Sequence, residues 1–295
     1  MGFTKMAHQV GGHATSKTSL KANNGRILKP FQSKGRGMNE CTFYERVFFL
    51  ESGSLELAEL QKFLPKYYGT IIVPEVANGE EGSELHPGQY LMLEDLTWDR
   101  KWPCIMDVKM GTQSYEDDAS AEKIAHEKSK FPLQEIVGLR IQGIKVFDRA
   151  KMNYNVYDKY FGRNIADVDH LAQAFQRYFP ANDIAKTIVL LEAFLRRLDQ
   201  LRDWFEKQRG TRFIASSFLF LYDGERSIQD PNAVAETFGA DIRLIDFAHA
   251  TQSLSPTQDD GLRTGIATLI NCFQTLYHKI QTESSCTLHA DAAEK

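Results

Sequence analysis

Pro103-Cys104-Ile105-Met106-Asp107-Val108-Lys109-Met110-Gly111 sets an acid and a base inside an otherwise apolar run. A short apolar run of this kind predicts a buried strand, and side chains alternate along a strand. Ile105, Asp107 and Lys109 therefore share one face, and Cys104, Met106 and Val108 share the other. Burying either charge without a partner is costly. Two arrangements remain: a structural ion pair at a strand end, or a face that opens on a cleft and meets charged ligands. Gly111 allows a sharp backbone turn where the strand stops.

The rest of the chain suits a globular enzyme or binding protein. Its 295 residues, 42% hydrophobic and 25% charged, are enough for one large domain or two lobes with a substantial core. A net charge of -4 argues against a general nucleic-acid binder. Between positions 119 and 163, however, nine Lys/Arg face five Asp/Glu. A basic segment in an acidic chain points to a compact anionic ligand. Cys41, Cys104, Cys272 and Cys286 show no metal-ligand spacing and read as reduced thiols of an intracellular protein. The N-terminus has no apolar signal region, and no run approaches the roughly 20 apolar residues of a membrane span. Met6 stands where a myristoylation motif needs Ser or Thr.

Pattern predicts the remaining elements. Arg26-Ile27-Leu28-Lys29 is a short strand after an Asn23-Asn24-Gly25 turn, and residues 39–50 form a helix with Glu40 in its first turn and Tyr44, Val47 and Phe48 on one face. Tyr90-Leu91-Met92-Leu93 is a buried strand ended by Glu94-Asp95, and residues 77–88 are a loop. A helix over 119–130, led by Asp117 and Asp118, gathers Lys123, His126 and Lys130 on one face with Glu127 beside them. That face is either solvated or able to read several phosphates. Residues 139–147 alternate as a strand with Arg140, Gln142 and Lys145 toward a cleft. Helices follow over 167–179 and 183–208, the second packing through Leu191, Leu195, Leu198 and Trp204. Residues 215–224 are a buried strand and its turn, and 243–249 a second strand with a charged intruder, Asp246. A last helix covers 261–279, before a frayed tail.

Pro103-x-x-x-Asp107-x-Lys109-x-Gly111 resembles the signature of the inositol polyphosphate kinases, and Asp117-Asp118-Ala119-Ser120-Ala121-Glu122-Lys123 continues the likeness. Further similar blocks are His8-Gln9-Val10-Gly11-Gly12-His13, Leu64-Pro65-Lys66-Tyr67-Tyr68-Gly69, Asp158-Lys159-Tyr160-Phe161-Gly162-Arg163 and Ile245-Asp246-Phe247-Ala248-His249. Together they cover roughly residues 8 to 280. The resemblance implies an α+β fold, two-lobed and protein-kinase-like, with an inositol-binding insertion at about 119–163. Its N-lobe would be 1–93 and its C-lobe 94–295.

The family transfers the ATP γ-phosphate to a hydroxyl of an inositol phosphate. The resemblance therefore assigns Asp107 to orienting or deprotonating that hydroxyl, and Lys109 to neutralising charge on the moving phosphoryl group. It implies ATP and Mg²⁺ as cofactors. Gly11 and Gly12 would form a flap over the phosphates, Lys29 and Glu40 a phosphate-holding pair, and Asp246 the Mg²⁺ ligand. Glu94 and Asp95 would belong to the hinge, with Asp95 either meeting the ribose or capping a turn. Leu219 would be the floor beneath adenine or plain core. Lys123, His126, Lys130, Lys145 and Lys159 would contact substrate phosphates. His249 would do the same or pack. His126 and Glu127 depart from the glutamines of the multikinases.

Within the family, Pro65-Lys66-Tyr67-Tyr68-Gly69, Leu93-Glu94-Asp95-Leu96-Thr97 and Pro132-Leu133-Gln134-Glu135 favour a multikinase acting on inositol tris- and tetrakisphosphates. Lys109-Met110-Gly111-Thr112 and the Asp117 block lean toward the hexakisphosphate kinases, which make pyrophosphates. A third reading is a catalytically silent inositol-phosphate-binding scaffold. The expected setting is intracellular, cytoplasmic or nuclear, for a monomer with no nucleic-acid partner and no membrane span.

Overall fold

Asn24 and Gly25 both adopt positive φ, 47° and 74°, and close a two-residue hairpin between Asn23 and Arg26. This is the primed turn that an Asn-Gly pair favours because its twist matches that of the strands. It starts the first of two five-stranded antiparallel sheets seen in the computed structural model, which describes residues 3–10, 19–51, 53–74, 85–225, 238–252 and 258–293, with side chains through 283. The expected flap glycines Gly11 and Gly12 lie outside the described residues, as does most of the expected 77–88 loop.

The first sheet is ordered β1-β2-β3-β5-β4, from β1 (Thr4–Lys5), β2 (Lys21–Asn23), β3 (Arg26–Pro30), β4 (Tyr67–Val73) and β5 (Gly88–Glu94). Between β3 and β4 come α1 (Arg36–Glu45) and α2 (Leu55–Gln61). The helix expected over 39–50 thus begins earlier and changes character. After Glu45 it widens into a π-helical turn, Arg46–Leu50, in which Val47 is buried and Phe49 is exposed.

From Pro103 onward the elements are β6 (Pro103–Met110), α3 (Ala121–Ser129), α4 (Gln134–Val137), β7 (Leu139–Asp148), β8 (Asn153–Tyr157), α5 (Lys159–Arg163), α6 (Leu171–Gln176), α7 (Ile184–Lys207), β9 (Thr211–Phe213), β10 (Ser217–Asp223), β11 (Asp241–Ile245), β12 (Ala250–Gln252) and α8 (Asp260–Ala293). The second sheet runs β11-β10-β6-β7-β8, which puts the Asp107 strand at its centre, and β9 pairs with β12. Gly111 ends β6 at φ 97°, a backbone angle L side chains rarely adopt.

One face of β6, with Cys104, Met106, Val108 and Met110, is fully buried against the main core, to which α7 and α8 contribute. Phe194 of α7, Phe220 of β10 and Phe273 of α8 meet with Tyr178 and Phe179 in edge-on and tilted pairs. Such pairs add to the transfer free energy of ring burial, about 0.5–1.5 kcal/mol each. Phe194, rather than the half-buried Leu195, supplies the α7 contact here.

Three expected boundaries move for local reasons. Ser120 caps α3 by accepting from the Lys123 amide at 3.3 Å, so the helix begins at Ala121. Asp117 turns instead to Arg212, at 2.5 Å. The 167–179 segment keeps only the six residues of α6 as helix. At the other end, the expected tail continues α8 to Ala293. Nothing between 281 and 293 is Gly or Pro, so the backbone meets no helix breaker.

Candidate active site

The two sheets face each other across a cavity of about 580 Å³, within the usual range for small-molecule sites. Its roof comes from Ile27 and Lys29 of β3 and from the arm residues His8, Gln9 and Val10. Its inner wall is Leu93-Glu94 with Leu96 and Thr97, and its floor is Ile105, Asp107, Leu219 and Ile245.

Register explains the floor. Asp107 pairs with Leu219 of β10 and Gly143 of β7, and Lys109 pairs with Ser217 and Arg140. Residues directly opposite one another share a sheet face. The β7 strand carries an extra residue, Gln142, between the partners of Asp107 and Val108. Such a bulge flips the alternation that follows it. Arg140, Gly143 and Lys145 therefore share the Asp107 face, whereas simple alternation had put Gln142 there.

Lys29, Glu40 and Asp246 form one charged knot. The Lys29 ammonium donates to Glu40 Oε1 at 2.7 Å and to Asp246 Oδ1 at 2.6 Å. Burial works against the charge on Lys29, but the two carboxylates outweigh it and hold its pKa well above the ordinary lysine value. Glu40, whose side chain is 1% exposed, is pushed up by burial against the pull of Lys29. Asp246 leaves 43% of its side chain open. Burial also opposes its charge, yet Lys29, helped by Lys109 and His249, keeps its carboxyl below the usual range.

Asp246 is not inside a strand as expected. β11 stops at Ile245, and Asp246 sits at φ 67°, a left-handed conformation that Asp tolerates better than most residues. The turn sends Phe247 into the core, stacked on Phe43 at 4.1 Å, while Asp246 reaches Lys29.

Asp107 is buried, and its Oδ1 has no hydrogen-bond partner. Burial first, and then the nearby negative charge of Asp246, push its carboxyl up to about 7, against a hydrogen bond from the Ser217 side chain. Lys109 donates to the Ala215 carbonyl at 3.0 Å. Burial lowers its pKa although Asp246 and Asp107 support its charge. An acid poised near neutrality beside a desolvated lysine is suited to proton transfer and anion stabilisation.

The expected phosphate contacts fall into separate groups. Lys123 pairs with Glu116, whose other oxygen meets His249 Nδ1 at 2.6 Å. Burial tends to raise Glu116, but Lys123 outweighs it and keeps the carboxyl ionised, so His249 donates. Burial also lowers the His249 pKa from its ordinary 6.5. Lys130 pairs with Glu127, which faces Arg140 as well. The His126 ring is exposed. Lys145 donates to Ala7 O and His8 Nδ1, both at 3.1 Å, and lies over the Tyr154 ring, so the N-terminal arm rests on it. Lys159 opens α5, over the Tyr160 ring.

At the hinge, Asp95 N donates to Gly25 O, and Asp95 Oδ1 accepts from both Thr97 N and Thr97 Oγ1. This is the turn-capping geometry, and Asp95 lines a second, polar recess that also contains Arg26, Arg100 and Arg243. Glu94 borders both cavities and accepts from Lys66 N at 3.0 Å. Leu219 lies on the cleft floor opposite Asp107. Sequence reasoning did not single out Ser217, Arg36 or Glu116. The register of β10 against Lys109 would have found Ser217, while Arg36 and Glu116 reach the site only through tertiary packing.

Two carboxylates of the second sheet, Asp107 on β6 and Asp246 just past β11, offer hard oxygen ligands for a divalent cation. The described residues contain no group of three or more Asp, Glu, His or Cys placed to hold a metal by themselves. Asp246, ionised and partly open, and the orphaned Asp107 oxygen fit a cation that takes its remaining ligands from phosphates and water.

This arrangement agrees with comparisons to known proteins. The chain is 30% identical to human inositol polyphosphate multikinase over 294 residues, 96% of this chain and 68% of that one. It is 35% identical to the rat multikinase over 226 residues, 76% of this chain but only 54% of the rat protein's length. A shorter similarity, 36% over 171 residues, links it to mouse inositol hexakisphosphate kinase 3. The crystal structure of the inositol phosphate multikinase Ipk2 from S. cerevisiae, in complex with ADP and Mn²⁺, superposes with a TM-score of 0.65 at 25% identity, over 86% of this chain and 99% of that one. The sequence model of inositol polyphosphate kinases matches residues 90–274, which include the whole second sheet, and with the human relative aligned over nearly all of its length the chain belongs to the inositol polyphosphate kinase family.

Proposed function

We propose that the chain transfers the γ-phosphoryl group of ATP to hydroxyls of inositol tris- and tetrakisphosphates. The observation that carries this reading is the poised pair on the cleft floor, Asp107 and Lys109, set against the Lys29–Asp246 knot. In this reading residues 1–93 and 94–295 act as N- and C-lobes, and adenine lies between Leu93-Glu94, Leu96 and Leu219. Lys29, oriented by Glu40, holds the phosphates of ATP.

Asp107 accepts the proton of the acceptor hydroxyl as its oxygen bonds to the γ-phosphorus and the bridging bond to ADP breaks. Lys109 offsets charge on the equatorial oxygens. Asp246, with Asp107 beside it, would hold Mg²⁺, and the ion would supply positive charge to offset that of the phosphates. Positioning and charge neutralisation dominate, so no Cys or Ser nucleophile is needed. Lys123, Lys130, Lys145, Lys159, His126 and His249 surround the inositol phosphates, with Asp95 shaping the hinge. We also infer that the chain acts as a monomer inside the cell, in cytoplasm or nucleus. Cys41, Cys104 and Cys272 are buried and unbridged, which suits a reducing compartment. Among the described residues no helix is long and apolar enough to cross a membrane.

The test is incubation with ATP-Mg²⁺ and a panel of inositol phosphates, with products separated by charge. New phosphate on tris- and tetrakisphosphates supports the proposal. Similarity to a hexakisphosphate kinase keeps pyrophosphate synthesis as the second reading, which conversion of hexakisphosphate would favour. Binding without ATP consumption would instead indicate a silent scaffold.

A further inference from the structure

Lys123, Lys130, Lys145 and His249, expected to meet substrate phosphate, are each held by another group of the chain. Glu127 of α3 pairs with Lys130 one turn later and reaches toward β7, where its Oε2 lies 4.0 Å from Arg140 Nη2. Arg140 is directly opposite Lys109 on the cleft face and 2% exposed, and its Nε and Nη1 have no hydrogen-bond partner. A buried guanidinium left largely unpaired is costly, and one carboxylate at 4.0 Å repays little of that cost. Burial, with Arg163 nearby, lowers the Arg140 pKa, and Glu127 is the group that supports its charge. Lys109 feels the charges of Arg140 and Glu127 too. Two cations, Arg140 and Lys130, therefore stand beside the reactive lysine, and among the described residues Glu127 is the anion paired with both.

We propose that Glu127 is a specificity-determining residue that fills the Arg140–Lys130 subsite with an internal anion and so selects inositol phosphates carrying a hydroxyl, not a phosphate, at that position. This rests on the inositol phosphate reading of the site. A ligand hydroxyl donates a hydrogen bond to the Glu127 carboxylate. A phosphate in the same place meets like charge and must displace Glu127 from both cations, at the loss of charge-assisted contacts.

The test is equilibrium binding, which does not require turnover. Affinities for inositol 1,4,5-trisphosphate and inositol hexakisphosphate are measured for the wild-type chain, Glu127→Gln and Glu127→Asp. Gln is nearly isosteric and keeps helix propensity but carries no charge. In Glu127→Gln the hexakisphosphate-to-trisphosphate affinity ratio should rise roughly 10- to 150-fold, the worth of one charge-assisted contact, while ATP affinity stays constant. Glu127→Asp should stay close to wild type. An unchanged ratio in a Gln variant that still binds ATP overturns the proposal. The wild-type chain gives an independent check should the variant fold poorly. More than 100-fold tighter binding of hexakisphosphate than of trisphosphate would overturn the proposal, and a smaller gain supports it. Wild-type binding of both ligands without phosphorylation of either would defeat the kinase reading alone. Loss of binding to both would defeat both readings.

Discussion

Lys29 and Asp246 stand 217 positions apart in the chain, one in β3 of the first sheet and the other just past the end of β11 of the second, and their side chains meet at 2.6 Å. Glu40 completes the contact from α1, and its Oε1 also accepts from Phe247 N at 3.2 Å. One cation thus ties together three elements that border the cleft. In Lys29→Met, Glu40 and Asp246 face each other without it. Removing one partner of a buried pair costs about 3–5 kcal/mol, and partial exposure of Asp246 reduces this to roughly 2–4 kcal/mol. At least one carboxyl would then have a folded pKa raised above its unfolded value, so the variant should be most stable in acid and lose stability as pH rises through the raised pKa. Denaturant unfolding at pH 5 and pH 8 measures this, and a pH-independent loss would assign Lys29 a packing role only.

Asp107→Asn should lower turnover by roughly 10²- to 10⁴-fold, the usual worth of a general base, with ATP binding nearly intact. Stability should move the other way. A carboxyl raised to about 7 when folded, from an ordinary 3.8, contributes stability below the unfolded value and loses it as pH climbs toward 7. At pH 8 the wild-type chain holds a buried carboxylate with an unpartnered oxygen, a burden the Asn variant lacks. The variant should therefore be about 1–3 kcal/mol more stable there, and no more stable at pH 4. Turnover near the wild-type level would remove Asp107 from the chemistry.

The same shift predicts the wild-type pH profile. A base must be ionised to accept a proton, so kcat/KM, which reports the groups of the free enzyme, should rise with pH and level off above about 7, with a slope of one below it. A flat profile from pH 5 to 9 would show that ionisation of Asp107 does not limit the reaction.

Asp246→Asn is the better probe of metal binding than an Ala replacement, because Asn also tolerates the left-handed backbone at φ 67°. Lys29 keeps Glu40 as a partner, so the fold should survive. Affinity for ATP should fall sharply in Mg²⁺ and little in its absence. Unchanged affinity in both conditions would make this carboxylate structural.

The β6 anomaly was legible because two charges in an apolar run demand an explanation, and the strand does put both on the cleft face. The Asn24-Gly25 hairpin was legible because it is local chemistry. What escaped depends on geometry that alternation does not encode. The Gln142 bulge interrupts the alternation of β7, so Gln142 leaves the face that Arg140, Gly143 and Lys145 share. Asp246 looked like a strand residue because its neighbours are apolar, yet only a turn after Ile245 carries it to Lys29. Helix periodicity gathered Lys123 and Lys130 on one face, but it was blind to Glu116 and Arg140, which arrive from other segments.

Lys123→Ala is the sharpest test of the substrate site, because the lysine shares its carboxylate with His249. Removing Lys123 deletes one phosphate contact, worth about 1.5–3 kcal/mol when charge-assisted. It also strips Glu116 of its ammonium partner and leaves a carboxylate held only by His249 where phosphate should bind. Both effects weaken inositol phosphate binding, so KM should rise roughly 10- to 150-fold with a bias to the upper end, while KM for ATP changes little. Adding Glu116→Gln to Lys123→Ala removes the repulsion and should recover part of the loss. A purely solvated pair behaves differently: an exposed ion pair is worth at most about 1 kcal/mol of stability and nothing in substrate affinity. If KM for the inositol phosphate is the same in all three chains, Lys123 and Glu116 form such a pair and the phosphate site lies elsewhere on the cleft.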